Sequence, residues 1–153
     1  MSDKESFVSK TAWAIVCAIG AVVMAAIATV SAVMGGCTTM LELASGSSMP
    51  MKCHWTFVAD TFIGIIGIVI ALAAIICKEQ SGRRAAAIGY IVTAAVAACM
   101  PASFGIGLCA NAEMHCHSTA TIVWALCAVA VVVGIVQIVK ANPASAELPK
   151  RTI

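Results

Sequence analysis

The sequence predicts an all-α membrane protein: a bundle of four transmembrane helices built from a duplicated two-helix hairpin. Three observations point there. The chain is 61% hydrophobic and 10% charged, with a mean hydropathy of +1.02, outside the range of soluble domains. Four apolar stretches are each long enough to cross a hydrocarbon core, which takes about 20 helical residues. The two halves of the chain also resemble one another. Strand-like alternation is absent, and backbone in lipid must satisfy its own hydrogen bonds, so the spans are read as helices.

The first span is Thr11–Met34. It exceeds the roughly 7–15 residues of a signal-peptide core, and no small-residue cleavage site follows it, so it reads as a retained helix. The second is Thr56–Cys77 and the third Ala85–Ile106. Pro101 predicts a kink near the outer end of the third. The fourth is Ser118–Val139. The loops are too short for a separate soluble domain. One domain therefore covers 1–153, with a first repeat over about 11–80, a second over about 81–140 and a short tail at 141–153.

Basic residues set the orientation. Lys4 and Lys10 precede the first span, Lys78, Arg83 and Arg84 fill the link after the second, and Lys140, Lys150 and Arg151 follow the fourth. Only Lys52 lies in the other two loops. The positive-inside rule then places both termini in the cytoplasm and the loops 35–55 and 107–117 outside. The net charge of +2 follows from this topology and forms no nucleic-acid patch.

"AIGAVVMAAIA" (Ala18–Ala28) aligns without gaps to "AIGYIVTAAVA" (Ala87–Ala97), with seven identities in eleven positions. Downstream, Cys37 corresponds to Cys109, and Cys53-His54 to Cys116-His117. Each hairpin starts and ends on the same side, so the repeats are parallel, related by a pseudo-two-fold axis along the membrane normal. Gly20, Ala21, Ala25, Gly64, Gly67, Gly89 and Ala94 are read as packing residues that let helices approach closely.

The eight cysteines divide by depth. Cys17, Cys77, Cys99 and Cys127 fall in spans, where cysteine acts as a small hydrophobe. Cys37, Cys53, Cys109 and Cys116 fall in the outer loops, where an oxidising compartment favours disulfides. Four cysteines allow three connectivities. The repeat favours Cys37–Cys53 and Cys109–Cys116, one within each hairpin. Closing the longer loop could add about 3 kcal/mol by restricting the unfolded chain. Metal thiolates are the second reading, because thiolates and thioethers suit copper(I). Cys-x-x-Cys and Cys-x-x-Cys-His are both missing, which counts against thiol redox catalysis and covalent haem.

Two stretches, "MPMKCHWT" (Met49–Thr56) and "MHCHST" (Met114–Thr119), share the frame Met-x-Cys-His or Met-His-Cys-His at equivalent helix mouths. His54 and His117 form a symmetry-related pair, with His115, Met49, Met51 and Met114 beside them. Two such histidines could hold haem b between the hairpins, and histidine with methionine could hold copper. The bland alternative is interfacial histidine tips, gap-filling methionine and no cofactor.

Asp60 is the one ionisable side chain deep in a span. A carboxylate in lipid is costly and marks a functional candidate. Its bland reading is an aspartate satisfied by Thr56, Thr93 or Tyr90. Its counterpart is Val123, so a role for Asp60 breaks the symmetry. Trp13, Trp55 and Trp124 are read as interfacial or packing residues.

The four-helix plan with "MPMKCHWT" resembles an uncharacterised family of small prokaryotic four-helix membrane proteins, over most of Cys37 to Cys116. Members tend to be encoded beside ABC transporters whose permeases carry large extracytoplasmic domains. The resemblance implies a multi-pass accessory subunit of the prokaryotic cytoplasmic membrane, with a transporter permease as partner and no established chemistry. The leading reading is thus a non-enzymatic accessory protein with an outward Met/Cys/His site. The alternatives are a membrane thiol or quinone redox protein, or a small transporter using Asp60. A homo-oligomer is compatible with each.

Overall fold

In the computed structural model, residues 2–35, 40–42, 45–110 and 114–141 are described. They form α1 (Ser2–Met34), α2 (Lys52–Ile76), α3 (Gln80–Cys99) and α4 (His115–Ala141). A small antiparallel ribbon joins α1 to α2, with β1 (Met40–Glu42) paired to β2 (Ser48–Pro50). Apart from this ribbon the regular structure among the described residues is helical.

Side-chain bonds to distant carbonyls fix the topology. Trp13, early in α1, donates Nε1–H to Ala74 O late in α2, at 3.0 Å. Thr119, early in α4, donates its hydroxyl to Met34 O at the end of α1, at 3.1 Å. Gln80 opens α3 and donates to Ala141 O, which closes α4, at 2.8 Å. Successive helices are therefore antiparallel. α1 and α3 each pack against both α2 and α4, closing a four-membered ring.

Among the described residues, three helical segments are long and apolar enough to cross a membrane: Lys10–Met34, Lys52–Ile76 and His115–Ala141. The third predicted span differs. Instead of running kinked to Ile106, α3 stops at Cys99. Pro101 has no N–H for Ala97 O, which instead accepts from Met100 N at 3.3 Å. The chain then leaves the helix through the turns Ala102 N to Cys99 O and Gly105 N to Ala102 O. α3 also begins with the polar turn Gln80-Ser-Gly-Arg-Arg, so its apolar part, from Ala85, is only about 22 Å long at 1.5 Å per residue.

Helix contact relies on small residues, because lipid supplies no hydrophobic drive between apolar helices. A Cβ on Gly67 would stand 2.7 Å from Met24 Cγ, and one on Gly64 would stand 2.8 Å from Ala28 Cβ. Gly20 admits the Tyr90 ring, whose hydroxyl donates to Gly20 O at 3.0 Å. Gly89, read from sequence as a packing residue, has only Ile70 near, at 4.0 Å. Large apolar side chains such as Val22, Phe62, Val69 and Val132 cover the outside of the ring, a surface suited to a lipid bilayer.

The buried positions of α2 recur in α4 at one constant spacing. Cys53, Thr56, Phe57, Asp60, Gly64, Gly67, Ala71 and Ala74 correspond to Cys116, Thr119, Ala120, Val123, Cys127, Ala130, Gly134 and Gln137. The ends of the bundle differ sharply. One end gathers Lys10, Lys78, Arg83, Arg84 and Lys140; the other carries Lys52 and the motif residues.

Candidate metal centre

The motif residues belong to helices, not to the loops assigned from sequence. α2 begins at Lys52 and α4 at His115, so Cys53 and Cys116 are each the second residue of a helix. His54 N bonds Met51 O and His117 N bonds Met114 O, both at 3.0 Å, so the two first turns close alike. The next turn also matches. Thr56 donates to Lys52 O at 3.3 Å, and Thr119 to His115 O at 3.2 Å. Each hydroxyl also reaches a neighbouring segment: Thr56 to Gly107 O at 2.7 Å and Thr119 to Met34 O at 3.1 Å.

The Thr56 bond positions the third cysteine. After Pro101 the chain folds back, with Gly107 N bonded to Met100 O at 3.1 Å. Gly107 has φ +85°, a conformation that favours glycine. Two residues later, Cys109 lies across the mouth of α2. Its thiol donates to Cys53 Sγ at 3.1 Å and approaches Met51 Sδ at 3.7 Å. Among the described residues, the Sγ atoms of Cys53, Cys109 and Cys116 lie within 4.8 Å of one another, close enough to share a metal ion. Cys53 and Cys116 are buried and Cys109 is half-buried.

The expected partners Cys109 and Cys116 are brought within 4.8 Å of one another, and Cys53 joins them. No described cysteine pair stands at disulfide distance, and Cys109 meets Cys53 of the other half because the chain leaving α3 is tied to α2 through Thr56. Cys37, and with it the expected Cys37–Cys53 bridge, lies outside the described residues. So does the tail beyond Ala141.

His54 and His117 are half-buried, each one residue past a buried cysteine. One residue advances a helix by about 100°, so a cysteine facing inward turns the next histidine sideways. His54 packs edge-on to Trp55, with ring centroids 5.4 Å apart. It also lines a cavity of about 90 Å³ between α1 and α2, with Ser31, Gly35, Phe57 and Thr61. His117 Nε2 lies 2.9 Å from Cys109 O. A carbonyl only accepts, so Nε2 carries the proton and Nδ1 faces away from that bond. His115 and Met49 are exposed, whereas Met51 and Met114 pack against the core.

Asp60 lies one helical turn deeper than Thr56. It is fully buried, and neither carboxyl oxygen has a hydrogen-bond partner among the described residues. The partners expected from sequence are engaged elsewhere: Thr56 with Lys52 O and Gly107 O, Thr93 with Gly89 O, and Tyr90 with Gly20 O. Trp13 and Trp124 are anchored to Ala74 O and Ala98 O, while Trp55 is exposed.

Residues 14–140, which take in α2, α3 and most of α1 and α4, match the family described as Domain of unknown function (DUF4418). The chain belongs to the DUF4418 family. That agrees with the uncharacterised family expected from the Cys-His-Trp stretch. No curated protein and no solved structure matches this DUF4418 chain. The thiol cluster is therefore read on its own chemistry. Sequence reasoning missed two parts of it: the approach of Cys109 to Cys53, and the matched duties of Thr56 and Thr119. The recurrent Cys-His-x-Thr spacing was the available signal for the second.

Proposed function

We propose that this DUF4418 protein is an accessory membrane protein that binds copper(I) through Cys53, Cys109 and Cys116, with Met51 as a thioether neighbour. The convergence of three Sγ atoms within 4.8 Å carries this reading. Thiolate and thioether sulfur are the ligands that soft copper(I) prefers, whereas structural zinc takes four ligands from Cys, His and carboxylates. Both α2 and α4 begin at the cluster, and helix N-termini favour the negative charge that metal binding requires of thiols. Thr56 holds the Gly107 carbonyl two residues before Cys109 and His117 holds the carbonyl of Cys109 itself, which orients that ligand.

The family resemblance implies a multi-pass placement in the prokaryotic cytoplasmic membrane, and the charge asymmetry supports both termini being cytoplasmic and the thiol end outside. Reporter fusions after Thr152 should behave as cytoplasmic, and fusions in 44–48 as external. Association with an ABC-type permease rests on the family resemblance and is tested by copurification from native membranes.

The deciding experiment is metal analysis and a visible spectrum of protein purified under reducing conditions and supplied with copper(I). One copper per chain, lost in Cys109→Ser, supports the site. A Soret band lost in both His54→Ala and His117→Ala would shift the reading to haem b. Neither copper nor haem would overturn the cofactor reading.

A further inference from the structure

We propose that Cys109 and Cys53 form a reversible disulfide that joins the two hairpins, and that Cys109 is the thiol that first meets the oxidant. The site is a dithiol for exchange with small disulfides, and its chemistry needs no metal.

Three observations carry it. The two Sγ atoms are 3.1 Å apart, and Cys109 donates its S–H toward Cys53. A bond would require them to close by only about 1 Å. The two residues also differ in access. Cys53 is 0% exposed in the first turn of α2, whereas Cys109 is half-buried on irregular chain. An incoming disulfide therefore reaches Cys109, and Cys53 is the thiol placed to resolve the adduct. Finally, the Thr56–Gly107 bond two residues before Cys109 keeps this stretch of chain over α2. Nearness to Cys53 thus follows from a tether distinct from the thiols themselves.

The exchange balances with a small disulfide as oxidant. The Cys109 thiolate attacks one sulfur of oxidised glutathione; the S–S bond breaks and one glutathione thiolate leaves. The Cys53 thiolate then attacks the Cys109 sulfur and expels the second glutathione thiolate. The two protons lost by the cysteines end on the two glutathione thiols. Two protein thiols are oxidised and one disulfide is reduced to two thiols. Closure consumes two of the three sulfurs proposed for copper, so metal binding and the disulfide exclude one another where both occur.

The test uses the full-length protein in detergent, stripped of metal by a chelator and equilibrated in buffers of reduced and oxidised glutathione. Thiols are then alkylated, and unreduced peptides are mapped by mass spectrometry. A Cys53–Cys109 linked peptide that forms under oxidation and disappears on reduction is expected, and it persists in Cys116→Ser. In Cys53→Ser the glutathione adduct should be trapped on Cys109. Cys53 linked to any other cysteine, a Cys109–Cys116 link, or no link at all overturns the proposal. Because no metal is present, this result is independent of whether copper binds.

Discussion

The two ends of the bundle use polar side chains in different ways. At the basic end, Trp13, Gln80 and Arg83 bind main-chain carbonyls of Ala74, Ala141 and Cys77, and the Arg83 guanidinium lies 5.2 Å from the Trp13 ring centroid. These contacts hold helix ends together. At the thiol end the same duty falls to Thr56 and Thr119, whose hydroxyls reach Gly107 O and Met34 O. Three sulfurs are left to face one another. The difference teaches that hydroxyls hold the thiol end together, which leaves the cysteines for chemistry. Cysteine variants should therefore lose ligand without losing the fold.

The largest expected effect tests that separation directly. Cys53→Ser should lower copper(I) affinity by more than the roughly 100-fold that loss of an outer-shell partner can cost, while the helical circular-dichroism signal and thermal midpoint stay near wild type. A collapse of the midpoint in parallel would break the comparison, making the thiols structural.

Asp60 stands apart from both ends. A buried carboxyl without partners costs about 1–3 kcal/mol relative to a satisfied or apolar side chain. Asp60→Val, which copies Val123 of α4, should raise unfolding stability in detergent by about that amount and leave copper binding unchanged. A loss of stability would mean that Asp60 has a partner, such as a bound cation or water.

The smallest effects distinguish the two sets of tethers. Thr56→Val removes the bond that seats the Cys109 stretch and should cost about 1 kcal/mol of stability, with copper affinity falling about tenfold. Trp13→Phe should cost about 1 kcal/mol as well, with no change in copper affinity. Isothermal titration beside thermal unfolding reads both, and equal copper effects from the two variants would erase the distinction between the ends.

Much of the architecture was legible because it depends on local composition. Runs of Ala, Val, Ile and Gly between Lys10 and Met34, or between Thr56 and Ile76, can satisfy their backbone in lipid only as helices. The matched Cys-His-x-Thr frames made the likeness of the α2 and α4 first turns readable as well. The third helix was read too long because hydropathy continues through Pro101 to Ile106, whereas the backbone hydrogen-bond ladder does not.

The sequence by itself determined that this chain is helical and apolar, basic at one end, and endowed with soft ligands at the other. Only the tertiary structure decided which of those ligands meet. Helical rotation places Cys53 and Cys116 inward and turns His54 and His117 aside, a difference of one residue that a linear motif does not display. The partner of Cys53 was likewise beyond linear reading, because it depends on where the chain leaving α3 returns. One hydroxyl-to-carbonyl bond, from Thr56 to Gly107, carries Cys109 across to the other half.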